Sequence, residues 1–280
     1  MSPDPIHLVH EDSRGRVFTA DSMTYFDGRV GAKDVVISGS YAARATIGWA
    51  LGLGVRGVIS HAAGVGKDDA GISGLPLAES FGVPAAACET MSARLADGAS
   101  VHGGRVGHAN PTALRHGVRV GQPVTEAARL MLDAPPGEKR SVQEAADNRI
   151  HTFEETPRGN ICGSWGIPVL RSIKEPRPRD VFVQASHCGL TLSTYVIPLR
   201  LKGVIATDAG RGMDDSGLAA FPVFDEAGVP AAAVGAMTAR IGDVLSVWNE
   251  GVISAVNRVA EGKGVRPGMT AKEAARKMLG

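Results

Sequence analysis

Two acidic loops carry residue types suited to chemistry in this chain. One is Gly64-Val-Gly-Lys67-Asp68-Asp69 and the other is Gly210-Arg-Gly-Met-Asp214-Asp215; each follows a short apolar run. Paired carboxylates in a glycine-rich turn can order a polar ligand, hold a divalent cation or move a proton. The structural alternative is that the first Asp of each pair caps the helix that follows, by accepting from its N2 or N3 amide. A second pair of motifs, Met91-Ser-Ala-Arg94-Leu-Ala-Asp97 and Met237-Thr-Ala-Arg240-Ile-Gly-Asp243, supplies Arg94 and Arg240. A guanidinium grips a carboxylate or phosphate through two parallel hydrogen bonds, so both arginines are candidate clamps for an anionic substrate. They could equally close structural ion pairs, with Asp97 and Asp243 serving as helix N-caps.

A different set of residues suits nucleophilic attack. Ser186-His187-Cys188 ends an apolar run, where a strand would turn into a helix. A helix N-terminus and a neighbouring imidazole can acidify a thiol placed there, which makes Cys188 the first candidate and Ser186 its rival. His187 or His61 would be the base, and Asp208 would orient that base or hold water. The equivalent turn in the first half offers Ser40 and Tyr41, which suit substrate binding rather than attack. Against this stands the common fate of cysteine, a small buried residue. Cys88 and Cys162 have no evident chemical partner, and three cysteines without a Cys-x-x-Cys imply no disulfide framework and a reducing, cytoplasmic setting.

Metal chemistry has a weaker basis. His187, Asp208, Asp214 and Asp215 are reasonable donors for a divalent ion. There is, however, no His-Glu-x-x-His, no cysteine pair and no Asp-x-Asp-x-Asp loop. Gly64-Val-Gly-Lys67 lacks the four-residue gap of a phosphate-binding loop and the Ser or Thr that follows its Lys. Neither Gly-x-Gly has the third glycine of a dinucleotide fingerprint, so no nucleotide cofactor is expected.

These residues need elements to hold them, and the chain supplies a set twice. With Asp34 aligned on Asp180, Val35-Val-Ile meets Val181-Phe-Val, Gly57-Val-Ile meets Gly203-Val-Ile, and Gly82-Val-Pro-Ala-Ala-Ala meets Gly228-Val-Pro-Ala-Ala-Ala. Rare types such as Met, Arg and Asp match as well as Gly and Ala, so composition bias does not explain the repeat. Short runs that are apolar on both faces, alternating with helical stretches, predict parallel strands covered on two sides. The expected fold is α/β and internally duplicated. Its two homologous halves would each hold a short, mostly parallel sheet flanked by helices, related by a pseudo-twofold axis like a fused homodimer. The first repeat is placed at 1–132, a linker or insertion at 133–166 and the second repeat at 167–280. Within this scheme 141–149 reads as helix, 158–166 as loop, and Pro168-Val-Leu-Arg-Ser172 as a short strand matching Val17-Phe-Thr-Ala-Asp-Ser22. Thr270-Ala-Lys-Glu273 reads as a capping box opening the last helix. Ligands of open parallel sheets bind beyond the carboxyl ends of the strands, and all the candidate residues fall there.

Composition narrows the function further. A net charge of +1 offers no basic field for nucleic acid or an anionic membrane, and a 5% aromatic share argues against base-stacking platforms. The longest apolar stretch, 45–59, is interrupted by glycines and Arg56 and is too short to span a bilayer. The start of the sequence lacks the basic and apolar segments of a signal peptide. The expectation is a cytoplasmic hydrolase of small-molecule metabolism, cleaving an amide or related C–N bond of a polar, anionic metabolite in the crevice between halves. A metal-dependent lyase or hydrolase and a non-catalytic small-anion binding protein are the alternatives, and homo-oligomer formation is compatible with any of the three.

Overall fold

Val35-Val-Ile, Gly57-Val-Ile and Ala85-Ala-Ala are apolar at consecutive positions because both of their faces are covered. A computed structural model describes residues 4–141 and 149–280. The chain divides into two units. Unit 1 comprises Met1–Ala63, Gly71–Ala145 and Gly212–Asp214, and unit 2 comprises Gly64–Ala70, Ala146–Arg211 and Asp215–Gly280. Part of each acidic loop is thus counted with the unit formed mainly by the other repeat.

Unit 1 holds a six-stranded sheet with strands in chain order: β1 (His7–Asp12), β2 (Gly15–Ala20), β3 (Asp34–Tyr41), β4 (Gly57–His61), β5 (Ala85–Cys88) and β6 (Val106–Ala109). The four central strands run parallel, and the outer two pair antiparallel to them. Helices α1 (Arg44–Leu53), α2 (Gly74–Ser80), α3 (Gly98–Gly103), α4 (Pro111–Arg115) and α5 (Val124–Met131) complete it. Val35, Ile37 and Ile59 pack against Val101, Ala127 and Met131 on one face, while Val36, Val58, Ala85 and Ala87 are fully buried on the other.

Unit 2 repeats the plan with β7 (His151–Thr156), β8 (Gly159–Ser164), β9 (Val181–His187), β10 (Gly203–Thr207), β11 (Ala231–Val234) and β12 (Ile253–Val256), again in chain order across the sheet. Its helices are α6 (Ile167–Ser172), α7 (Leu190–Leu199), α8 (Phe221–Glu226), α9 (Val244–Glu250), α10 (Arg258–Gly262) and α11 (Ala271–Leu279). Alternation along β9 sends Val181, Val183 and Ala185 to the layer of α9 and α11, and Phe182 to the layer of α6, α7 and α8. The capping box is present. Thr270 Oγ1 accepts from Glu273 N at 3.2 Å, and Glu273 Oε2 accepts from Thr270 N at 2.8 Å.

Two local expectations need correcting. The stretch 158–166 is β8 with its approach rather than loop, and Pro168-Val-Leu-Arg-Ser172 lies in helix α6 rather than a strand. The true counterpart of Val17-Phe-Thr is Ile161-Cys-Gly, each running parallel to the next central strand. Aligning His7 on His151 shows the signal that marks this: His, Glu, Arg and Gly recur at 7, 11, 14, 15 and 151, 155, 158, 159. The helix expected over 141–149 falls mostly outside the described residues. No helix among the described residues is long and apolar enough to cross a membrane.

Candidate functional site: two arginine–aspartate turns and the loops that hold them

The carboxyl ends of the strands hold most of the candidates, and backbone amides claim several of them. His61 Nδ1 accepts from Ala63 N at 3.0 Å and its Nε2 donates to Ala93 O at 3.1 Å. His187 Nδ1 accepts from Gly189 N at 3.1 Å, and Asp208 Oδ1 accepts from Gly210 N at 2.9 Å. In all three the acceptor lies two residues before the donor, the geometry by which a short polar side chain shapes a turn. Asp208 is the most committed. It also accepts from Ala236 N at 2.9 Å and from Ser254 Oγ at 2.7 Å, and it is buried.

His61 is fully buried, and burial holds its pKa below the usual imidazole value. A proton on Nδ1 would turn the acceptor of Ala63 N into a donor. This predicts an acid-sensitive contribution to stability. With the folded pKa depressed, the contribution is complete above the unfolded value of about 6.5 and falls away as pH drops toward the folded value. Urea denaturation of wild type and His61→Asn at pH 7.5 and 5.5 measures it. Wild type should lose more stability than the variant over that interval, whereas equal losses would contradict the assignment.

Cys188 lies one residue beyond β9, and its side chain faces the apolar layer with Phe182, Leu192, Val204 and Leu218. It is fully buried, and desolvation pushes its thiol well above the usual range. Gly189, not Cys188, is the N-cap of α7. This corrects the expectation of an accessible, acidified thiol on the rim: the thiolate form is disfavoured by burial. Ser186 and Tyr41 are buried too, and desolvation raises the Tyr41 phenol to about 12. Ser40 Oγ accepts from Met23 N at 3.0 Å. Burial likewise raises Cys88 and Cys162.

The acidic loops are different. Ala63, Gly64, Val65, Gly66, Asp68 and Asp69 all have positive φ, and so do Ala209 to Gly212, Asp214 and Asp215. Eight of the ten non-glycine residues with positive φ among the described residues lie in these two loops. Left-handed backbone costs an L-residue roughly 1–2 kcal/mol, and most for β-branched Val65. Gly64 and Gly210 allow the close approach that the turns require: a Cβ on Gly64 would lie 2.7 Å from Gly210 Cα.

This backbone sends the first Asp of each pair to an arginine. In unit 2, Arg240 Nη1 donates to Asp68 at 2.9 Å, Nε to Asp243 at 3.1 Å and Nη2 to Glu250 at 3.3 Å. Lys67 Nζ joins Glu250 at 2.8 Å. In unit 1, Arg94 Nη1 donates to Asp214 at 2.7 Å, with Asp97 4.0 Å from its Nε. Asp97 and Asp243 cap α3 and α9, each accepting from helix amides. Asp68 and Asp214 do not cap: α2 and α8 have no side-chain cap bond. Asp215 pairs with Arg211 at 2.6 Å, which pulls its carboxyl below the usual range. Asp69 holds the equivalent place, but Val65 stands where Arg211 does.

The structure therefore brings together Arg240 with Asp68, and Arg94 with Asp214, and it does not join Cys188 to a base. Glu250, Lys67 and Ser254 were not anticipated. No periodic signal marks them, since each meets its partner through tertiary packing. Arg211 had a signal, four residues before Asp215. Among the described residues no group of three or more His, Cys, Asp or Glu side chains is placed to hold a metal ion. In comparisons with known proteins, the chain matches no family model, no curated protein and no solved structure.

Proposed function

We propose that the chain binds a small, polar, carboxylate-bearing metabolite at its arginine–aspartate turns, with Arg240 and Arg94 as the clamps. One observation carries this reading: in both repeats a left-handed loop presents an exposed Asp to a partly exposed Arg. An exposed ion pair returns at most about 1 kcal/mol. Four left-handed non-glycine residues per loop cost more than that, so the pair does not by itself repay the backbone it requires. The same weakness makes Asp68 and Asp214 cheap to displace. A ligand carboxylate can take over the Nη1 that Asp68 holds on Arg240 and Asp214 holds on Arg94.

A second reading has its own observation. The Asp69 carboxylate is exposed and faces no arginine at the position of Arg211. It suits a general base that takes a proton from water attacking an amide or related C–N bond. Cys188 and Ser186 play no part in either reading.

Thermal-shift and calorimetric titration with butyrate, succinate and glutarate tests the first. At least one should bind, and Arg240→Gln or Arg94→Gln should weaken it about tenfold with the fold intact. Absence of binding by all three, or binding unchanged in both variants, would overturn it.

A further inference from the structure

We infer that the ligand carries an aliphatic arm beside its carboxylate, received by Met91 in unit 1 and Met237 in unit 2; the inference rests on the carboxylate reading above. Isolated exposed apolar side chains need no explanation. These two, however, occupy the same place in both repeats, three residues before the clamp arginine, and remain 58% and 70% exposed. The turns that carry them are held from within. Ser92 Oγ donates to Glu89 O at 3.0 Å, and Thr238 Oγ1 donates to Gly235 O at 2.8 Å. The acidic loops grip the same turns. Met213 N donates to Ala93 O at 3.1 Å where Asp214 meets Arg94, and Lys67 N donates to Ala236 O at 2.9 Å where Asp68 meets Arg240. Each methionine therefore stands on a fixed turn next to a displaceable ion pair. A thioether side chain with three rotatable bonds adapts to aliphatic groups of varied shape. The chemical class is an amphipathic monocarboxylate: a charged head for the arginine and a short hydrocarbon arm for the methionine.

The test titrates the full-length protein with acetate, butyrate, hexanoate and octanoate by calorimetry. Affinity should climb about twofold per methylene, half the gain of complete burial. Met91→Ser combined with Met237→Ser should flatten that climb. Affinity that does not vary with chain length, or a climb that survives in the double variant, overturns the inference and leaves the carboxylate clamp standing. Failure of all four acids to bind where a dicarboxylate does overturns the inference alone, whereas octanoate binding undiminished by Arg94→Gln and Arg240→Gln overturns the clamp itself.

Discussion

Asp208→Ala should cost unit 2 about 3–5 kcal/mol of stability, the largest effect expected of any single change at the rim. The carboxylate is buried and accepts from Gly210 N, Ala236 N and Ser254 Oγ, so truncation leaves two amides without their acceptor, while Ser254 Oγ keeps Ala233 O at 3.2 Å. A buried donor stripped of its partner costs about 1–3 kcal/mol. Asp208→Asn keeps one oxygen for the amides and lets its NH2 face the serine hydroxyl, so its loss should be near 1 kcal/mol. Urea denaturation followed by circular dichroism measures both. A loss below about 1 kcal/mol for the alanine variant would mean that Asp208 does not anchor its turn. The same experiment separates anchoring from the base-orienting role suggested by residue type, which would impair turnover with stability intact.

Gly64→Ala is the second large effect, and Gly82→Ala is its control. Both glycines are left-handed, with φ of 77° and 67°. A Cβ at Gly82 meets nothing within 4 Å, so that variant carries only the backbone penalty of about 1 kcal/mol. At Gly64 the same atom would sit 2.7 Å from Gly210 Cα and 3.0 Å from Gly210 N. Backbone cannot swing aside as a side-chain tip can, so overpacking of about 1–3 kcal/mol adds to the penalty. Melting temperatures should order wild type above Gly82→Ala and Gly82→Ala well above Gly64→Ala. Equal shifts in the two variants would show that the loops do not make this contact in solution.

The duplication of the central strands was legible. Consecutive apolar residues in short runs specify strands buried on both faces, and matched runs specify matched sheets; the two strand orders agree. The capping box at Thr270 was legible too, because a cap is a contact between residues three apart. The N-terminal hairpin of the second sheet was missed. Strand β8 has Asn160, Cys162, Gly163 and Ser164 where propensity favours branched apolar residues, and it forms because β7 and β9 pair with it on either side.

The candidate site divides in the same way. Order along the chain determined that Arg94 and Arg240 recur, that Asp97 and Asp243 stand at cap positions, and that each acidic loop is glycine-rich. It also placed His61, His187, Asp208 and Cys188 at the ends of strands. It did not determine what those four do there. A polar side chain at a strand end can face solvent, bend back to an amide two residues on, or enter the layer beneath the next helix. Which of these it does depends on neighbours distant in sequence. Packing by α7 and α8 sealed Cys188, and donors from Ala236 and Ser254 fixed Asp208. The left-handed loops also belong to tertiary structure. Val65 and Ala209 have no local preference for positive φ, and only contacts made elsewhere in the fold can hold them against that cost.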